Sequence, residues 1–520
     1  MKFDLLSGVA VGLSLHALAA SAVPVQNFTV GAPVKTSSGT IVGHAARHRV
    51  EVSEYLAVPF AEPPVGELRF AAPNAVNNSS RRIEAKEMSS GCLAPPSSSA
   101  AAFGSKAGEM SEDCLYLNIW TKPQTGEKAK AVLFWIYGGA FQFGSIRDPA
   151  YDGEYFADNQ DVVIVTANYR LNAFGFHGLA GAGIPQNPGL LDQRMAIEWV
   201  RDNIANFGGD PKRITLFGQS AGSASVDYYS YAYTADPIVN AFILQSGTAT
   251  SYGNNLPRNN SAAWFKASSK LGCGDISTTT PSDSLTCIRT KSANQILNAT
   301  KASNALESVA GGFSPTADDI TVFRDYQPLA AAGKFIRRPV LLGSTDKEAM
   351  VFSTMTLSLG FSLPAPFWDL ITQAAFNCPT AQAADARAKN GVPVWRYRYF
   401  GDFPNMRIKG VPDAGAYHAS EIAVIWGTAG DYKGSPNTEE EDRVGAYLQG
   451  VWAAFAKDPE RGLEGGRYGF PRYGGDGASL LEFARNDSDK AAFSRAADYD
   501  APCVPIMSVM GALGGFRGGG

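Results

Sequence analysis

The sequence predicts an α/β fold, with a mainly parallel central sheet covered by helices and broken by large insertions. Three observations point there. Short, continuously apolar β-rich runs recur along the chain, and stretches with helical apolar spacing separate them. No internal repeat, and no Pro/Ser-rich linker long enough to separate domains, interrupts the 520 residues. Strands that are apolar along their whole length are buried on both faces, as in a parallel sheet between helical layers.

The elements follow in order. Residues 1–22 read as an export signal. Lys2 is followed by the apolar stretch Leu5 to Ala20, and Ala20-Ser21-Ala22 fits a small-residue cleavage site. Residues 23–510 then form one domain. The β-rich runs are "AVLFWIYGG" (131–139), "DVVIVTANYR" (161–170), "RITLFGQS" (213–220), "AFILQSG" (241–247), "RPVLLGS" (338–344) and "VWRYRYF" (394–400). Between the second and third, Met195, Ile197, Val200 and Ile204 follow helical spacing, and Gly208-Gly209-Asp210-Pro211 stops the helix. Residues 255–335 read as a loop-rich excursion. Thr438 and Glu441 have the spacing of a capping box. Val444, Tyr447, Leu448, Val451, Trp452 and Phe455 then mark one apolar helix face. The tail 511–520, "GALGGFRGGG", reads as disordered.

Composition narrows the function. The chain is 45% hydrophobic and 18% charged with net charge −4, and it lacks the clustered cationic surface that nucleic-acid binding needs. After the signal, no apolar run approaches the ~20 residues of a membrane span. The six cysteines are Cys92, Cys114, Cys273, Cys287, Cys378 and Cys503. An even count in an exported chain suggests three disulfides, and the spacings suggest two local loops, 92–114 and 273–287, leaving 378 with 503. No C-x-x-C or paired-histidine spacing supports a metal site. Asn27, Asn77, Asn78, Asn259, Asn298 and Asn486 each head an N-x-S/T triplet and are glycosylation candidates.

The stretch "LFGQSAGSAS" (216–225) carries the chemistry. Its G-x-S-x-G pattern alone is weak, since chance supplies roughly half an occurrence in a chain with 54 glycines. Context strengthens it: a β-run leads in, and small residues suited to a helix start follow, as a serine held on a sharp strand-to-helix turn requires. A hydroxyl needs a base to be nucleophilic. In enzymes built on such an elbow the partners follow in the order nucleophile, acid, histidine. Only His418 follows Ser220 among the histidines. Asp346 and Glu348, just past the run 338–344, are both candidates for the acid. The glycine turn "YGGAF" (137–141) and the residue after the serine, Ala221, could supply N–H groups to a developing oxyanion.

These residues resemble the type-B carboxylesterase/lipase family, which includes cholinesterases and fungal lipases. The likeness runs through "VPFAEPPVGELRF", "SEDCLYLNIW", "WIYGGAF", "NPGLLDQRMAIEWVRDNIANFGGDP", "FGQSAGS", "LQSG", "LLGSTDKEAMVF" and "YHASE". The resemblance implies an α/β-hydrolase fold and hydrolysis of small-molecule carboxylic esters by a Ser–Glu–His triad without a cofactor. It implies no particular oligomeric state. Carried onto this chain, the nucleophile is Ser220, the acid Glu348 and the base His418. The oxyanion donors are Gly139, Ala140 and Ala221. The implied disulfides are Cys92–Cys114, Cys273–Cys287 and Cys378–Cys503, and Arg69–Glu112 and Arg170–Asp192 are implied structural ion pairs. The same resemblance leaves room for a lipase, an esterase or acyltransferase of a secondary metabolite, or a non-catalytic recognition protein.

Three departures stand out. Ala140 replaces a glycine of the oxyanion turn, which would strain the backbone if its φ is positive. Gln219 stands where many cholinesterase-like members carry glutamate, which weakens the case for a cationic substrate. The Cys92–Cys114 loop is short and polar, with Leu93, Phe103 and Met110 its substantially apolar residues, and suggests an open-mouthed esterase rather than an interface-activated lipase.

Overall fold

The computed structural model describes residues 29–95, 108–124, 126–251, 261–301, 312–358, 360–411, 413–474 and 477–515. The export signal 1–22, Asn27, Asn259 and most of the Cys92–Cys114 loop, Phe103 included, lie outside these residues.

One sheet of eleven strands dominates. In chain order they are β1 (His44–Ala45), β2 (Ser53–Pro59), β3 (Tyr116–Thr121), β4 (Lys130–Ile136), β5 (Val163–Ala167), β6 (Gly209–Gln219), β7 (Ala241–Gln245), β8 (Val340–Thr345), β9 (Val394–Tyr399), β10 (Leu480–Phe483) and β11 (Ala492–Ser494). Their spatial order is β11-β10-β9-β8-β7-β6-β4-β5-β3-β2-β1. From β5 through β4 and β6 to β10 every pairing is parallel; β1, β2, β3 and β11 pair antiparallel at the two margins. The six predicted runs form the contiguous block β9-β8-β7-β6-β4-β5, which is the interior of the sheet. Every residue of β4, β5, β7, β8 and β9 is buried; β5 and β7 are mostly apolar, whereas β9 buries Arg396 and Arg398 between its aromatic residues.

The helices cover the sheet as the spacing predicts. Helix α1 (Pro188–Asn203) buries Ile197 and Val200 and passes through a short 3-10 turn to Gly208, whose φ of 85° ends it. Helix α2 (Ala221–Ala232) starts directly from Ser220. Helix α3 (Glu439–Lys457) buries Val444, Leu448, Val451, Trp452 and Phe455. Its predicted capping box is only half formed. The Thr438 hydroxyl accepts from the Glu441 N–H at 3.1 Å, while the Glu441 carboxyl has no hydrogen-bond partner among the described residues.

Two further expectations change. Within 255–335, where the sequence predicts a loop-rich excursion, helices Ser261–Lys270, Pro281–Arg289 and Ala293–Thr300 build a small second core in which Trp264, Leu285, Ile288 and Ile296 cluster with Phe70, Phe174 and Leu179. Their caps hold short helices in place: Thr280 accepts from Asp283 N–H, and Ser292 with Gln295 forms a complete capping box. The C-terminal helix Cys503–Gly515 runs into 511–520, where glycine content predicts disorder, because its apolar "VPIMSVMGAL" favours helix; 516–520 lie outside the described residues.

All three cysteine pairs form the expected bridges, 92–114, 273–287 and 378–503. Arg69 grips Glu112 bidentately at 2.5 and 2.6 Å, and Arg170 grips Asp192 at 2.8 and 2.7 Å. The second pair is fully buried, where a planar guanidinium fork matched to a carboxylate is the favourable geometry. Asn77, Asn78, Asn298 and Asn486 are exposed.

Candidate active site

The site lies past the carboxyl ends of the parallel strands, where open α/β sheets leave a crevice. Strand β6 ends at Gln219 and α2 begins at Ala221, so Ser220 carries the entire reversal. Its φ is 57° and its ψ −123°, a strained conformation for a residue with a Cβ. The turn survives because its neighbours are glycines. A Cβ on Gly222 would lie 2.0 Å from Ile136 O, and one on Gly218 would lie 2.7 Å from the same oxygen. The elbow is thus pressed against the end of β4, and the Ser220 N–H donates to Gln245 O on β7 at 2.8 Å. Ser220 itself is half-buried.

Glu348 and His418 meet as a pair. Glu348 begins a 3-10 turn just after β8 and is fully buried. Its Oε1 accepts from the Thr345 N–H at 2.7 Å, and its Oε2 lies 2.5 Å from His418 Nδ1. The loops are tied as well: His418 N–H donates to Glu348 O at 3.2 Å, and Lys347 N–H donates to Ala416 O at 2.9 Å. Phe376 and Phe352 flank the imidazole, with centroids 4.7 and 5.9 Å away. A carboxylate on Nδ1 favours the tautomer that carries its proton there and makes Nε2 the accepting nitrogen. The competing acid is placed elsewhere: Asp346 accepts from Arg398 Nε at 3.0 Å.

His418 Nε2 points to the elbow. The side-chain Nε2 of Gln219, the residue directly before Ser220, lies 3.1 Å from it. The sequence marks Gln219 as a departure in charge but gives no sign of this contact. It is equally silent on Glu421 in "YHASE". That carboxyl is 1% exposed and accepts from Gln245 Nε2 at 3.2 Å. Burial, with the nearby Glu348 charge adding to it, pushes Glu421 up to about 8.

The glycine turn abuts the elbow. A Cβ on Gly138 would lie 2.9 Å from Ser220 Cβ, and one on Gly139 would lie 2.1 Å from Phe143 O. Gly139 has φ 112°, and Ala140 adopts φ 52° despite its methyl group. Ala140 is exposed, and Ala221 is buried at the start of α2. The glycine turn therefore meets Ser220 at Gly138, with Gly139 and Ala140 following it in the chain and Ala221 adjoining Ser220 on the other side. Among the described residues, no cluster of three or more His, Cys, Asp or Glu could hold a metal ion.

Comparison with known proteins identifies the family. The carboxylesterase family profile matches residues 31–365 and 362–500. A chlorogenic acid esterase of Aspergillus niger is 37% identical over 87% of this chain and 88% of its own length. Secreted lipase 5 of Gibberella zeae is 32% identical over 85% and 88%. A solved thermophilic PNB esterase superposes with a TM-score of 0.76 at 25% identity, covering 92% of this chain and all of its own. The shared α/β-hydrolase fold, the family profile and these relatives together place the chain in the carboxylesterase family, as a carboxylic ester hydrolase.

Proposed function

We propose that this chain is a secreted serine esterase that works through an acyl-enzyme on Ser220, with His418 as base and Glu348 as its orienting acid. The observation that carries the reading is the buried Glu348 Oε2 to His418 Nδ1 contact of 2.5 Å, with the other imidazole nitrogen turned to the Gln219–Ser220 elbow. In the first half-reaction Ser220 Oγ attacks the ester carbonyl as His418 Nε2 takes its proton. Glu348 stabilises the imidazolium without taking the proton. The N–H groups of Gly139, Ala140 and Ala221 receive the oxyanion, and His418 then protonates the departing alcohol. Water repeats the sequence on the acyl-enzyme. Because Gln219 Nε2 already faces the imidazole lone pair, Ser220 Oγ must share or displace that contact to deliver its proton.

Export is supported by the tripartite N-terminal pattern and the three bridges, which persist in oxidising compartments. The exposed Asn77, Asn78, Asn298 and Asn486 would then accept glycans. The name of the Aspergillus niger relative makes chlorogenate a first ester to assay, beside p-nitrophenyl acetate. The deciding experiment is labelling with a fluorophosphonate. The wild-type chain should be labelled stoichiometrically and inactivated, and Ser220→Ala should be folded, unlabelled and inactive. Equal labelling of the variant would place the nucleophile elsewhere.

A further inference from the structure

A second cleft, of about 490 Å³, opens between the N-terminal half of α3, the segment Val424–Asn437 and the helix Glu154–Gln160. None of Ser220, Glu348 and His418 lines it. Its size lies in the range that holds small organic ligands. Its lining is unusual in the hydrogen bonds it leaves unmade. Glu441 is 1% exposed, and among the described residues neither of its carboxyl oxygens has a hydrogen-bond partner. Gln449, two turns along the same helix and also 1% exposed, receives Asn159 Nδ2 on its oxygen at 3.0 Å, but its Nε2 finds no acceptor among the described residues. Arg49 Nε is buried and makes no hydrogen bond; it keeps an ion-pair contact with Asp158 at 3.4 Å, and its guanidinium lies 4.8 Å over the Tyr155 ring. All three residues line the one cleft. Buried polar groups are costly unless something pairs with them.

The mixture of groups selects the ligand. Asp431, Asp442 and Glu441 disfavour an anion. The Gln449 amide donor and the positive charge of Arg49 disfavour a cation, which offers no acceptor and is repelled by the guanidinium. Burial pushes the Glu441 carboxyl up to about 7, and the Asn405 amide and Thr438 backbone oppose the rise without reaching hydrogen-bond geometry. A group that can both donate and accept therefore suits this floor, and a hydroxyl does both. We infer that the cleft is a binding site for a neutral polyhydroxylated ring, a sugar, held by Glu441, Gln449 and Arg49 and separate from the ester-cleaving site.

The test uses the full chain and calorimetric titration with D-glucose, D-xylose and cellobiose. Spermidine and inorganic phosphate serve as ionic probes. Ala446 lines the cleft from an exposed position on α3, so Ala446→Trp fills it without entering the core. At least one sugar should bind saturably. Ala446→Trp should weaken that binding by about tenfold or more, while Tm and p-nitrophenyl acetate turnover stay at the wild-type level. Gln449→Leu should weaken it likewise, and Ala446→Leu carries the same expectation if the tryptophan disturbs folding. Absence of saturable binding by all three sugars, unchanged binding in the cleft-filling variants, or saturation by spermidine or phosphate in place of sugars would each overturn the assignment.

Discussion

Gln219 Nε2 lies 3.1 Å from His418 Nε2, so the residue before Ser220 places a neutral amide against the nitrogen that, on the proposed mechanism, receives the Ser220 proton. A carboxylate in the same place would favour the charged imidazole. Gln219→Glu should therefore move the acid limb of the kcat/KM profile to higher pH and leave the alkaline limb in place. A pH–rate series with p-nitrophenyl acetate checks this, and an unmoved acid limb would show that the 219 side chain does not face the working imidazole.

The two carboxylates past β8 have different surroundings, and their variants should separate sharply. Glu348→Gln removes the charge that sits 2.5 Å from His418 Nδ1. It should lower kcat by about 10²–10⁴-fold, the range attached to general acid–base function. Asp346→Asn weakens only a partly exposed pair with Arg398, and such pairs contribute about 0–1 kcal/mol. Its turnover should be near that of the wild type. Steady-state kinetics of both variants, with circular dichroism to verify folding, decides the assignment.

Ala140 holds φ 52° at the oxyanion turn. A left-handed conformation costs a residue with a Cβ roughly 1–2 kcal/mol, while a glycine there loses about 0.4–1 kcal/mol more chain entropy on folding. Ala140→Gly should therefore stabilise the chain by up to about 1 kcal/mol in urea unfolding. Since the N–H is kept, turnover of small acyl esters should persist, and esters with bulkier acyl groups should gain most.

Glu421 gives stability a pH dependence. In the folded chain its proton is retained up to about 8, against an ordinary value of 4.5, because burial disfavours its charge. Folding therefore takes up a proton between those values. The stability that the neutral carboxyl confers is complete below the lower value and is lost as pH rises through about 8. Glu421→Gln preserves an acceptor for the Gln245 amide and cannot ionise. Its Tm should match the wild type near pH 5 and exceed it by several degrees above pH 8 in a thermal-unfolding series.

The interior of the sheet is legible in the sequence because strands covered on both faces are mostly apolar or aromatic runs. Its margins are not. Strand β2 buries Ser53 and Glu54 and shifts register between Tyr55 and Val58, and β3 buries Asn118 and Thr121. These polar residues interrupt the apolar run and are satisfied only across the fold, as when Trp120 Nε1 donates to Glu54 at 2.7 Å. Ser220 and His418 can be read from motif and chain order. Between Asp346 and Glu348, residue spacing does not choose; family resemblance favours Glu348, and the geometry agrees because the turn after β8 points one inward and the other to Arg398. The contact between Gln219 and His418 depends on how two loops 199 residues apart converge, and no local pattern encodes that.

The elbow has a practical consequence for redesign. Ser220 is held by main chain packed on main chain, at Gly218 and Gly222 against Ile136 O, rather than by the walls of any acyl pocket. If Ser220 acts as proposed, ester preference can therefore be retuned by replacing side chains such as Phe352 and Phe376, which pack on the His418 ring, while Ser220 keeps its pose. The few positions closed to such engineering are the glycines themselves, where a single added methyl would collide with a carbonyl that has nowhere to retreat.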